Sequence, residues 1–139
     1  MVKRASSNAG RLPARVLVAE DDTILALALE DALLDAGVAE VVICPTTQEA
    51  LESLRRRKPD AIVLDVHLAD RDDGWAIAEL VSSVGPRPPR IVFSTGAPAD
   101  IPEEIAELGD ILAKPYHPDE LLALLARPRR RSLFARLRG

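Results

Sequence analysis

Five short apolar runs, each rich in β-branched or aliphatic residues and each followed by a stretch of helical periodicity, constrain this chain more than any other feature. They occupy residues 16–19, 41–44, 61–64, 91–93 and 111–113. Alternation of this kind is the mark of an α/β fold built on a parallel sheet. Right-handed crossovers place helices on both faces of such a sheet, so its strands read as continuous apolar runs rather than alternating ones. The expected architecture is a (βα)₅ doubly wound sheet of five parallel strands.

The intervening segments carry their own start and stop signals. Ile24, Leu25, Leu27, Ala28, Leu29, Ala32, Leu33 and Leu34 form a broad helical stripe, which Gly37 closes. A second helix opens at Thr46 with Glu49 at capping-box spacing and runs through Ala50, Leu51 and Leu54 until Pro59. A third follows Gly74 with Trp75, Ile77, Ala78, Leu80 and Val81, ending near Gly85-Pro86. The fourth is short: Asp100 is the expected cap, with Glu103 three residues on, and Gly109 ends it after scarcely two turns. The fifth starts around His117-Pro118-Asp119 and carries Leu121, Leu122, Leu124 and Leu125 up to Pro128. Trp75 reads as helix packing near the end of the third strand.

Length and charge narrow the function classes. At 139 residues, 47% of them hydrophobic, the chain suits one folded domain. Its basic residues are unevenly spread. Lys3, Arg4, Arg11 and Arg15 near one end and Arg127, Arg129, Arg130, Arg131, Arg136 and Arg138 near the other make ten of the 18, while the remaining eight share residues 16–126 with all 22 acids. The expected organisation is a basic tail over 1–14, an acidic domain over 15–126 and a second basic tail over 127–139. So acidic a domain argues against nucleic acid as its own ligand. In the C-terminal tail Leu133, Phe134 and Leu137 fall at helical spacing among arginines; a solvated tail is favoured over membrane contact. No apolar stretch approaches the ~20 residues of a membrane span, and the N-terminus lacks a secretory apolar core, so a cytoplasmic location is expected. The single Cys44 fits a buried, reduced thiol.

The chemistry gathers at the strand ends, where open parallel sheets bind their ligands. Glu20-Asp21-Asp22 follow the first run, Asp65 the third, Ser94-Thr95 the fourth and Lys114-Pro115 the fifth. Crowded carboxylates repel unless a cation compensates, and hard oxygen donors with open water positions suit Mg²⁺. Lys114 and the Thr95 hydroxyl add a cation and a donor for a phosphoryl oxygen. An aspartate nucleophile, a metal and such donors are what phosphoryl transfer requires. His67 and His117 read as a loop side chain and a helix-start residue rather than imidazole ligands.

This ordered set resembles the receiver domains of bacterial two-component response regulators, over about residues 15–126. The resemblance implies a CheY-like, flavodoxin-like fold. It also implies Asp65 as phosphoacceptor, Glu20 and Asp21 as the acidic pair, Thr95 as switch hydroxyl and Lys114 as phosphoryl contact. The His67 backbone carbonyl would be a further metal ligand, Mg²⁺ the cofactor, and Lys114-Pro115 a cis bond. A histidine kinase or histidine phosphotransfer protein would be the donor, and a protein target the recipient of the signal; the domain would act on no substrate but itself. Two departures stand out. The position three before Lys114, usually Tyr or Phe, is Ile111, and the interval from Thr95 to Lys114 is about three residues shorter than usual. Phe93-Ser94-Thr95-Gly96 is similar to the Phe-Ala-Thr-Gly stretch of an atypical, often stand-alone subgroup with a reduced fourth helix.

Other classes fit less well. An aspartate-nucleophile phosphatase commonly has a second Asp two residues after the first, where this chain has His67. A flavodoxin-like electron carrier needs a phosphate loop after the first strand, where Glu20-Asp21-Asp22 would repel phosphate. A degenerate receiver serving as a phosphorylation-independent binding module stays open because of Ile111. With 24 residues after Pro115, no DNA-binding output domain is expected.

Overall fold

A computed structural model describes residues 12–68, 75–83 and 85–128 of the chain. In order the elements are β1 (Arg15–Ala19), α1 (Thr23–Asp35), β2 (Glu40–Cys44), α2 (Thr47–Arg56), β3 (Ala61–Leu64) and α3 (Trp75–Ser82). There follow β4 (Arg90–Thr95), a 3₁₀ turn (Pro98–Asp100), α4 (Glu103–Ala106), β5 (Asp110–Ala113) and α5 (Pro118–Ala126). Gly74 and the segments 1–11 and 129–139, which hold most of both basic tails, lie outside the described residues.

The strands form one parallel sheet in the order β2-β1-β3-β4-β5, the doubly wound (βα)₅ arrangement expected. Strand order reverses direction between β1 and β3, so the crevice of the fold opens beyond the carboxyl ends of those two strands. Because successive side chains on a strand point to opposite faces, the apolar runs feed two core layers. Leu17, Ala19, Ile62, Leu64, Ile91 and Phe93 pack with Ala50, Ile77, Ala78, Val81 and Ile105 on one face. Val16, Val18, Val63 and Val92 pack with Leu29, Leu33, Leu121, Leu124 and Leu125 on the other. Every residue of β3 is buried, whereas the edge strands β2 and β5 are mostly half-buried or exposed.

Local chemistry sets the helix ends. Asp22 caps α1, its Oδ1 accepting the Leu25 N–H at 3.2 Å, and beyond the last turn Gly37 takes φ 110°, a region that disfavours a side chain. Thr46 Oγ1 accepts the Glu49 N–H at 3.1 Å to open α2. At α5 the His117 Nδ1 accepts the Asp119 N–H at 3.1 Å, and Glu120 returns a bond to the His117 N–H at 2.9 Å, a capping box around Pro118. His117 is thus the helix-start residue expected.

Three local expectations need correction. The segment after β4 does not form a helix capped by Asp100: Asp100 lies inside the 3₁₀ turn, and α4 is only four residues long behind Pro102. The cause is Pro102, which disfavours helical backbone in the residue before it; Ile101 accordingly adopts φ −79°, ψ 123° and splits the segment. Ser94 and Thr95 do not follow the fourth strand but are its last two residues, held there by pairing with Leu112 and Ala113. Gly109 is not the residue that closes α4, whose C-cap is Glu107; it stands at the entry to β5, where a Cβ would collide with the Ile91 carbonyl oxygen.

Candidate functional site

Strand register brings the sequence-distant site residues to one level. Ala19 pairs with Leu64 and Leu64 with Phe93, so Glu20, Asp65 and Ser94 begin the same layer above the sheet. Thr95 pairs with Ala113, and its carbonyl accepts the Lys114 N–H at 2.8 Å, which seats Lys114 beside that layer. The Asp65 N–H likewise donates to the Ala19 carbonyl at 3.0 Å. The Lys114-Pro115 bond is cis, as expected.

At the centre Lys114 Nζ lies 2.9 Å from Glu20 Oε1 and 3.2 Å from Asp65 Oδ2. Asp65 is 5% exposed and Glu20 2%. The other Asp65 oxygen, Oδ1, accepts the His67 N–H at 2.9 Å, and Glu20 Oε2 accepts the Asp22 N–H at 3.0 Å. Asp21 is exposed, yet it offers an oxygen that lies, with one each from Glu20 and Asp65, within 4.8 Å of the others. Thr95 is wholly buried, and its Oγ1 accepts the Ala97 N–H at 2.9 Å.

The electrostatics follow from this crowding. Burial pushes the Glu20 carboxyl above the usual glutamate range; Lys114 and the Asp22 N–H pull it back, and the Asp65 charge adds to the rise. For Lys114 burial works downward, but hydrogen bonding to Glu20 and the charges of Asp65 and Glu20 outweigh it, so the ammonium is held above the ordinary lysine value. Apart from its ion contact with Lys114, Glu20 Oε1 is buried without an aligned hydrogen-bond partner. Three carboxylate oxygens so close together, one each from Glu20, Asp21 and Asp65, form an oxygen-donor set suited to a small divalent cation.

The site therefore holds Glu20, Asp21, Asp65, Thr95 and Lys114 together. The triple acid divides: Glu20 and Asp21 join the cluster, while Asp22 serves α1 as its cap. His67 contributes its backbone to Asp65, and its half-exposed ring lies 3.9 Å from Asp100 across the crevice mouth. Cys44 is buried at the end of β2, where burial pushes its thiol up, away from reactivity. Sequence reasoning missed Tyr116, whose hydroxyl lies 2.8 Å from Ser94 Oγ. Its signal was a lone aromatic two residues beyond Lys114.

A doubly wound parallel sheet with acids and a lysine at its switch point defines an α/β protein of the CheY-like architecture. The chain belongs to the response regulator receiver domain family, which matches residues 16–126. Among curated relatives it is 30% identical over 113 residues to the transcriptional regulatory protein PdtaR of Mycobacterium tuberculosis, covering 80% of this chain and 54% of the relative. It spans about half the length of the curated relatives it matches. A CheY-like receiver domain from Methylobacillus flagellatus superposes with a TM-score of 0.70 at 25% identity, covering 80% of this chain and 94% of the other. The anti-anti-sigma factor PhyR from Bartonella quintana superposes with a TM-score of 0.67 at 26% identity over 90% of this chain and 51% of PhyR. Among the described residues no helix is long and apolar enough to cross a membrane.

Proposed function

We propose that the chain is a receiver that accepts a phosphoryl group on Asp65 from a histidine kinase or a histidine phosphotransfer protein. The observation that carries this reading is Lys114 Nζ set between Glu20 and the buried Asp65, with Asp21 completing a group of three carboxylates. A carboxylate oxygen of Asp65 attacks phosphorus in line, the P–N bond to the donor imidazole breaks, and the freed imidazole takes up a proton. The ammonium of Lys114, already beside Asp65, meets the charge that develops on the equatorial oxygens. Glu20, Asp21, Asp65 and the His67 carbonyl would hold Mg²⁺, which when bound supplies positive charge for the same oxygens. The Thr95 hydroxyl, which accepts the Ala97 N–H, has a proton of its own that it can turn to donate to the new phosphoryl group.

The domain then acts only on itself, gaining and losing the phosphoryl group, and its output is a shifted equilibrium read by a protein target. The four-residue α4 supports placing the chain with the atypical Phe-Ala-Thr-Gly receivers. Intact mass after incubation with Mg²⁺ and phosphoramidate tests the reading. One added phosphoryl group, absent in Asp65→Asn and in the presence of a chelator, is expected. A chain that gains none under any condition would instead fit the phosphorylation-independent module that Ile111 suggests.

A further inference from the structure

The last two residues of β4 hold the loop that carries Lys114 by two separate grips. Thr95 grips Lys114 itself, carbonyl oxygen to backbone N–H, at 2.8 Å. Ser94, on the opposite face of the strand, grips Tyr116 through the hydroxyl pair at 2.8 Å. Ser94 is 1% exposed, and Tyr116 packs its ring against the core layer of Val16, Val18, Leu121 and Leu125. The phenol is pushed up by burial, pulled down by the Ser94 bond, and acted on by the charges of Glu20, Lys114 and Asp65. It therefore lies within the electrical reach of the site without touching the carboxylates. Buried tyrosine hydroxyls ordinarily take a partner, and here that partner belongs to the strand that ends in Thr95. None of the steps of phosphoryl acceptance described above uses this pair.

We propose that Tyr116 is a positioning residue for Lys114: its hydroxyl pair with Ser94 clamps the chain two residues beyond the lysine and fixes where the ammonium sits between Glu20 and Asp65. The inference rests on the reading of Asp65 as phosphoryl acceptor and reaches past it to the residue that sets the cation's place. A lysine is a compact charge on a long flexible stem, so its aim depends on how firmly the backbone at its base is held. Small misplacements of a reacting group are costly in rate. The clamp also ties β4, the strand that ends in Thr95, to the residues that precede α5, so the phenol sits where a change at Thr95 or Lys114 is felt.

The test compares Tyr116→Phe, Ser94→Ala, the double variant and Ser94→Thr in the full chain. Rates of Asp65 phosphorylation by phosphoramidate at saturating Mg²⁺ are read by intact mass, and Mg²⁺ affinity by calorimetry. Each hydroxyl deletion is expected to slow phosphorylation about three- to tenfold, the worth of one hydrogen bond, with Mg²⁺ affinity unchanged. The double variant should be no slower than either single one, because both remove the same contact, and Ser94→Thr should restore the rate. Tyr116 is the only tyrosine, so 3-fluorotyrosine labelling gives one ¹⁹F resonance. That resonance should move when Mg²⁺ and beryllofluoride, a phosphoryl mimic, are added. Wild-type rates in the variants, a parallel loss of Mg²⁺ affinity, or additive slowing would overturn the inference while leaving the acceptor reading intact. A wild type that forms no adduct would overturn the acceptor reading and this inference with it.

Discussion

The centre of the sheet and its β5 edge are built to different standards. Phe93 and Ile111 are register partners on neighbouring strands, yet Phe93 is fully buried while Ile111 is 38% exposed. β3 shows no exposed residue, whereas β5 alternates half-buried with exposed. The difference has a local cause: Pro102 cuts the segment over that edge down to a four-residue helix, too short to cover the face that Ile111 and Ala113 present. The acidic crevice depends on β1 and β3, so it is fixed by the part of the fold that is packed most tightly. The acidic site and the β5 edge are thus built independently: the first rests on fully buried strands, the second on a half-covered one.

Stability measurements sharpen this contrast. Ile62→Ala in the centre should cost about 2–5 kcal/mol, since it empties fully buried volume, read as a fall in urea midpoint. Gly109→Ala should cost about 1–3 kcal/mol, because the added methyl must displace the Ile91 carbonyl rather than a yielding side chain. Ile111→Ala, at the half-covered edge, should cost only about 1 kcal/mol. A cost for Ile111→Ala equal to that of Ile62→Ala would erase the distinction.

A smaller effect of opposite sign is expected at the site. The Glu20 carboxyl binds its proton more tightly in the folded protein than in a free chain, because burial disfavours its charge. The fold without metal is therefore destabilised as pH rises from the ordinary glutamate value of 4.5 through the raised one. Glu20→Gln should raise the melting temperature at neutral pH and flatten its dependence on pH in that interval, while weakening Mg²⁺ binding. A lower melting temperature would mean that the Lys114 contact outweighs burial.

Much of this was legible in the sequence. The five strands announced themselves because burial on both faces leaves little but Val, Ile, Leu and Ala, and Asp65 stood out because it ends such a run. The cap at Thr46 was readable from its spacing to Glu49, and the start of the last helix from His117-Pro118-Asp119, though not the capping box that His117 forms there. What stayed hidden depended on tertiary placement. The short α4 was foreseen, but its break at Pro102 was masked by the capping-box spacing of Asp100 and Glu103. The family resemblance set Glu20 and Asp21 apart from Asp22, but the work of Asp22 as the cap of α1 came only with the structure. The Ser94–Tyr116 pair joins residues 22 apart through the register of β4 and β5, and no periodicity signals it.

The central claim is that the crevice makes Asp65 the one acyl-phosphate residue, and borohydride trapping tests it most directly. Hydride reduces an acyl phosphate on aspartate to homoserine, so peptide mapping after phosphorylation with Mg²⁺ and borohydride treatment reads the acceptor position. The account predicts homoserine at position 65 alone. Homoserine at Asp21 or Asp22, or a phosphorylated chain with Asp65 unchanged, would contradict it.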